Sequence, residues 1–311
     1  MNRERIKERL EILQDSICEK LEIMDGKSSF QEEKWLRPGG GGGRTRVIAG
    51  GDVFEKGGVN FSEVFGEMSP ELVQSMLGLQ SKEISELPQF YASGVSIVIH
   101  PKSPMVPITH MNVRYFEMSD GRWWFGGGID LTPIYVDIQL AKNFHGKMKE
   151  VCDHFHEDFY PLFKKQCDDY FYIPHRKEMR GIGGIFFDAL HAESQFGKKY
   201  SLSKETLLDF IIAVGNTFPE AYAPQVEHGR LIPYGDAELE WQQIRRSRYA
   251  EFNLVWDRGT KFGLQTDGRT ESILMSMPPT CSWPYQYQVK PGSKEEKCLA
   301  FYQKGIDWLS Y

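Results

Sequence analysis

What this sequence lacks narrows it before anything else does. None of its apolar runs approaches the roughly 18 residues a membrane-crossing helix needs, and its opening, MNRERIKERLEILQDSICEKLEIMD, mixes acids with bases. A signal peptide needs an unbroken apolar stretch and a transit peptide avoids acids, so this start is expected to belong to the folded protein, placed in the cytoplasm with no integral membrane association. Cysteine is scarce: Cys18, Cys152, Cys167, Cys281 and Cys298 are odd in number and form no C-x-x-C pair. That usage suits a reducing compartment and offers neither a disulfide framework nor a zinc knuckle. Basic charge is also short, with 37 Lys and Arg against 43 Asp and Glu for a net charge of −6. A nucleic-acid surface spread over the whole molecule is therefore not expected. Also missing are G-x-x-x-x-G-K-[ST], a G-x-G-x-x-G between strand and helix, G-x-S-x-G and H-E-x-x-H. Nucleotide, nicotinamide and triad-hydrolase chemistry lose most of their case with them.

What is present is globular composition, 41% apolar and 26% charged over 311 residues. That length allows two domains or one large one. Ile6, Leu10, Leu13, Ile17, Leu21 and Met24 mark one face of an amphipathic helix closed by Gly26. Five glycines follow, Gly39 to Gly43, and read either as a linker or as part of one fold, since the residues before them are too few for a typical domain. Period-two alternation predicts strands at Ser93–His100, His110–Glu117, Arg122–Gly128 and Ile129–Val136, with Pro101, Pro104 and Pro107 in a loop between the first two. Connections this short require antiparallel neighbours. Helical spacing takes over from Phe144 to Tyr170, restarting at Pro161. Gly181–Asp188 reads as a strand, and Ser203 caps a helix expected to end before Pro219. Residues 237–248 read as helix, Tyr249–Asp257 as a strand, and Ser293 with Glu296 as the capping box of a last helix carrying Leu299, Phe301 and Trp308. The expected class is α+β, a single domain with a large, mostly antiparallel sheet flanked on both faces by helices.

Polar residues sit where a strand face would otherwise be apolar. His110, Asn112 and Arg114 point the same way from one strand. They form either the wet face of an antiparallel strand or a pocket wall, with a titratable imidazole and a guanidinium able to fork onto a carboxylate. Arg180, Arg245, Arg246, Arg248, Arg258 and Arg269 stand beside turns. They are surface charges one by one, or together a recess for a polyanion whose charges are carboxylates. Asp130 follows Gly126-Gly127-Gly128 and either pairs with a ligand N–H or caps a turn. His100, His110, His145 and His175 could converge on a metal, although no pair has helical ligand spacing. His154 and His156, two apart in a helix, read as surface.

Several long strings, RPGGGGGRTRVIAGGDVFEKGGVNFSEVFG, GVSIVIHPKSPMVPITHMNVRYFE, WWFGGGIDLTPIYV, HRKEMRGIGGIFFD and AEFNLVWDRGTKFGLQTDGRTESILMSMPP, resemble the oxygen-dependent coproporphyrinogen III oxidases. The resemblance implies one domain over 1–311, with the helix of 1–26 as an appendage, working as a homodimer. It implies an oxidoreductase of haem biosynthesis that converts two propionates of coproporphyrinogen III to vinyl groups, consuming O2 and releasing CO2 and H2O2. No organic cofactor is implied, and a divalent metal is left open. By the same resemblance Ser96, Asn112, Val113 and Arg114 contact substrate, His110 is a proton donor and Asp130 a catalytic carboxylate. Arg180, Asp257 and Arg258 hold the tetrapyrrole. Asp267, Gly268 and Arg269 match a Gly-Gly-Arg segment with Asp in place of the first Gly, and Ala189 stands after Asp188 where many members have a second Asp. His100, His110, His145 and His175 match positions assigned to a metal in bacterial members. Two rivals accompany this reading: a metal-dependent oxidase using those histidines, and a non-catalytic tetrapyrrole carrier.

Overall fold

The structure is a computed structural model that describes residues 2–70, 73, 87–192, 195–265 and 268–311. Alternating side chains build the sheet. The strands β1 (Gln31–Leu36), β2 (Gly41–Ala49), β3 (Phe54–Glu67), β4 (Gln89–Pro101), β5 (Ile108–Met118) and β6 (Trp123–Thr132) pair with their chain neighbours. β9 (Gly183–Leu190) adds to the far edge beside β6, giving seven strands, all antiparallel. Two short strands, β7 (Tyr172–Ile173) and β8 (Glu178–Met179), form a separate ribbon. The segments 122–128 and 129–136, expected as two strands, are the single strand β6.

One face of the sheet is sealed. Val95, Ile97, Ile99, Met111, Val113, Tyr115, Phe125, Ile129, Leu131, Ile185 and Phe187 point into a single large core. It is closed by the helices α1 (Arg3–Asp25), α2 (Ile138–Asp153), α3 (Phe159–Tyr170) and α5 (Lys204–Gly229); the short α4 (Gln195–Lys199) precedes α5. The opposite face carries α6 (Asp236–Glu251), a π-helical turn (Phe252–Trp256), α7 (Arg258–Gln265) and α8 (Thr270–Leu274). Three smaller apolar clusters lie on that side, around Phe171, Phe90 and Trp241. A cavity opens between them.

α1 is part of the main core rather than an appendage. Ile6, Leu10, Leu13, Ile17 and Leu21 are at most 2% exposed, and Gln14 Nε2 donates to the carbonyls of Arg44 and Val59. At the helix end, Asp25 accepts from the backbone N–H groups of Ser28, Asp52, Val53 and Phe54, tying α1 to the β2–β3 turn. The glycine run is not a linker. Gly40 and Gly41 have φ of 112° and 86°, which only glycine tolerates readily, and they turn the β1–β2 hairpin while Gly41–Gly43 enter β2.

Three further departures have packing as their cause. α5 continues through Pro219 and Pro224 to Gly229. Each interior proline costs about 3 kcal/mol, but Phe218, Pro219, Ala221 and Tyr222 are buried and the Tyr222 hydroxyl donates to Pro107 O, so tertiary burial holds the helix. Tyr249–Asp257 is not a strand: it is the last turns of α6 followed by the π-helical turn. The alternation there misled because Leu254, Val255 and Trp256 are all partly exposed while Asn253 is buried. At the C-terminus Ser293 does cap α9 (Lys294–Leu299), but Phe301 and Trp308 lie beyond it, with Trp308 in a 3-10 turn (Trp308–Ser310) whose indole donates to Ile182 O.

Two histidines are buried neutral. His145 in the main core is bonded to the Tyr160 hydroxyl and to Ile182 O, and His100 to Ser276 O; burial pushes both down to about 3. The unfolded chain protonates them below about pH 6.5 and the folded chain does not. Stability is therefore complete above that pH and falls as pH drops toward 3, by about 1.4 kcal/mol per pH unit for each histidine. Urea midpoints taken between pH 7.5 and 5 should show this slope, and His145→Gln should remove about half of it; an unchanged slope would contradict the assignment.

Candidate active site

Register lays the site out as rows across the sheet. One row runs Val47, Gly58, Val98, His110, Asp130, Gly184. The next runs Glu33, Thr45, Asn60, Ser96, Asn112, Gly128, Phe186, and a third Gly43, Ser62, Gly94, Arg114, Gly126. Small residues dominate, so the face is low enough to floor a cavity of ≈ 1390 Å³. His110, Asn112 and Arg114 are a pocket wall, not a solvated face.

At the bottom lies a buried charge cluster. Asp130 and Arg180 are 1% and 2% exposed, and one Arg180 amino group donates to both Asp130 oxygens at 2.9 and 2.8 Å. The other donates to Asn253 Oδ1 at 2.8 Å. The guanidinium carbon stands 4.2, 4.5 and 4.8 Å from the ring centres of Phe171, Tyr249 and Phe252, an aromatic cage that suits a desolvated cation. Asp130 also binds His110 Nδ1 at 2.8 Å. Burial alone would raise the Asp130 carboxyl, but the Arg180 charge and the His110 bond outweigh it and hold it below the usual range. Asp130 is then an anion, so His110 carries its proton on Nδ1, and Nε2 has no protein partner among the described residues.

A second carboxylate, Asp257, accepts from Tyr170 Oη, Thr260 N and Thr260 Oγ1. Those donors and nearby His110 offset the upward push of burial and keep it ionised. Arg114 donates to Asn112 Oδ1 and pairs with Asp188 at 3.0 Å. Gly126 makes that pairing possible: a Cβ there would lie 2.8 Å from Asp188 Oδ1 and 3.0 Å from the Arg114 guanidinium carbon. Arg258, Gly268 and Arg269 line the opposite wall, with Arg269 salt-bridged to Glu33.

Ser96, His110, Asn112, Arg114, Arg180, Asp257, Arg258, Gly268 and Arg269 thus share one cavity, with Asp130 directly beneath it. Val113 does not join them, because its side chain faces the core on the other side of the sheet; Asp267 lies outside the described residues. Of the arginines noted beside turns, three face elsewhere. Arg245 pairs with Glu178, Arg246 with Glu55, and Arg248 with Glu178 and Glu251, all behind the cavity wall. His100, His145 and His175 are not brought to His110. His175 Nε2 pairs with Glu251 beside Trp256 on the surface, and both ring nitrogens of His145 are bonded within the core. Among the described residues no three His, Cys, Asp or Glu side chains are grouped to hold a metal. The donor set does not fit a shared ion. His154 is exposed and His156 half-buried.

Sequence reading missed Asn60, Tyr170, Phe186, Asn253 and Thr260 as cavity residues. For Asn60 the signal was available, since Val59 and Phe61 alternate with Asn60 and Ser62. For Asn253 it was a lone amide inside an apolar stretch.

Removing Arg180 alone strands a buried anion. Arg180→Leu should cost about 3–5 kcal/mol in chemical denaturation, and adding Asp130→Leu should restore most of it. A single variant as stable as wild type would show that the pair is solvated.

The profile of the family described as coproporphyrinogen III oxidase matches residues 5–308. The chain is 45% identical to the oxygen-dependent coproporphyrinogen-III oxidase, chloroplastic, of Glycine max, over 99% of this chain and 80% of that one. It is 45% identical to the oxygen-dependent coproporphyrinogen-III oxidase of Prochlorococcus marinus (strain MIT 9312), covering 99% and 93%, and 46% identical to that of Synechococcus sp. (strain CC9605), covering 99% and 88%. With a likeness of this extent and the cavity residues in place, the chain belongs to the coproporphyrinogen III oxidase family.

Proposed function

We propose that this protein catalyses the oxidative decarboxylation of coproporphyrinogen III to protoporphyrinogen IX in haem biosynthesis, with O2 as co-substrate. The observation that carries the reading is the ionised Asp130 bonded to His110 beneath a cavity of ≈ 1390 Å³ ringed by arginines. A tetrapyrrole offers four N–H donors and four carboxylates, and this cavity presents acceptors at its base and guanidiniums on its walls.

The stoichiometry assigns work to these groups. For each propionate the C–COO⁻ bond and one β C–H bond break, CO2 leaves and a vinyl C=C forms. Two electrons pass to O2, which becomes H2O2, and the balance consumes one proton. His110 is the group positioned to deliver it: once Nε2 takes up a second proton, the imidazolium gives that proton up while Asp130 holds Nδ1–H and stabilises the cation. Asp130 and Asp257 receive the pyrrole N–H groups, while Arg114 and Arg258 hold propionates. The reduced pyrrole is electron-rich and reacts with O2 without an organic cofactor; the protein contributes orientation and fixed charge. Five cysteines that are all free suit a reducing compartment, in this reading the cytoplasm, and no helix of the described residues is long and apolar enough to cross a membrane.

The working unit in this reading is a homodimer. Leu254, Val255 and Trp256 stand 40–50% exposed on the π-helical turn, next to the half-exposed Trp283, whose indole donates to Glu251. Such a patch suits an interface. Val255→Arg should sediment as a monomer where the wild type sediments as a dimer; identical sedimentation would place any interface elsewhere.

Aerobic incubation with coproporphyrinogen III should consume O2 and yield the divinyl product, and anaerobic incubation should yield none. Asp130→Asn should lower kcat by about 10²- to 10³-fold while the protein still binds substrate. Binding without O2 uptake by the wild type would identify a carrier instead.

A further inference from the structure

Asp188 stands at the end of β9, away from the Asp130 cluster, and faces two guanidiniums from different layers. Arg114, from the sheet, places its amino group 3.0 Å from Asp188 Oδ1, and Arg258, from α7, stands 3.6 Å from Oδ2. Each arginine has further support of its own. Arg114 donates to Asn112 Oδ1, and the Arg258 guanidinium lies over the rings of Tyr170 and Phe186 at 4.9 and 5.9 Å. The backbone N–H of Ala189 donates to Asp188 Oδ1, fixing the carboxylate. All three charged side chains line the cavity, and at 36%, 32% and 65% exposed they are open to a ligand.

Charge counting gives this arrangement a meaning. Two cations and one anion leave a single positive charge, which one incoming carboxylate neutralises. A second carboxylate on the same pyrrole meets Asp188 with no cation left to answer it, and like charges at such separations repel strongly. We propose that Asp188 is a specificity-determining residue, restricting the Arg114–Arg258 seat to pyrroles bearing one carboxylate side chain. This works through an introduced repulsion rather than an added attraction. It rests on the reading of the cavity as a porphyrinogen site and concerns which porphyrinogens the site refuses.

The neighbouring residue allows the opposite charge change. Ala189 also lines the cavity and has φ of 54°, in the left-handed region that Asp adopts more readily than Ala. A carboxylate can therefore be added there without new backbone strain.

The test measures dissociation constants under nitrogen, where no turnover occurs, for a porphyrinogen with one carboxylate per pyrrole (four in all) and for one with two per pyrrole (eight in all). Wild type should prefer the four-carboxylate ligand. Asp188→Asn should shift the ratio of the two constants by about tenfold toward the eight-carboxylate ligand, and Ala189→Asp should shift it the other way. Parallel weakening of both ligands, with a ratio within about twofold of wild type in each folded variant, is what a merely structural Asp188 gives and overturns the proposal. So does a ratio that moves the same way in both. If Asp188→Asn fails to fold, an unchanged ratio in Ala189→Asp decides against it. A wild-type chain that binds neither porphyrinogen refutes the functional reading itself.

Discussion

The ion pair between Asp130 and Arg180 is the constraint on which the site depends. A charge taken out of water is tolerated only beside its opposite and with its remaining hydrogen-bonding capacity largely met, and the surrounding fold is organised to meet those terms. Register places Asp130 between His110 and Gly184. α6 and the π-helical turn bring Tyr249, Phe252 and Asn253 down onto Arg180. The pair adds little net stability compared with an apolar substitute. What it supplies is a carboxylate that stays ionised at the base of a cavity and points in one direction.

Around that point the two layers divide the labour. The sheet contributes a rigid, low floor of glycine and serine with three polar side chains spaced two residues apart along β5. The helical layer contributes Asp257, Arg258 and Arg269, which have different backbone surroundings and different exposure. The cavity is thus lined by a fixed surface on one side and a separate covering layer on the other. The arginine-rich character needed for a tetracarboxylate coexists with an acidic protein because the arginines away from the cavity are spent on Glu55, Glu178 and Glu251.

Much of this was legible from residue order, and the exceptions share a cause. The antiparallel sheet and the common face of His110, Asn112 and Arg114 followed from period-two patterning, because a strand's geometry turns sequence parity directly into sidedness. The same parity rule misread Tyr249–Asp257, since a π-helical turn reproduces a short alternation while burying a polar residue. Proline marked the end of α5 on propensity alone, and tertiary burial overrode it. The arginines of α6 could be counted but not aimed: whether Arg246 faces a cavity or Glu55 depends on a strand far away in the chain. The histidines at 100, 110, 145 and 175 could likewise be counted, but their order in the chain carried no information about convergence in space.

The seating of α1 bears on how the chain reaches this state. Its apolar stripe is buried against β3, β4 and α5, and its Arg9 pairs with Asp209, which follows two hundred residues later. The helix therefore waits, amphipathic and uncovered, until α5, some two hundred residues further on, has been made. Such non-local closure slows folding and lengthens exposure to association with other unfinished chains. Six charged residues, Arg3, Glu4, Arg5, Lys7, Glu8 and Arg9, crowd the first turns of that helix, a composition that favours solubility through the delay.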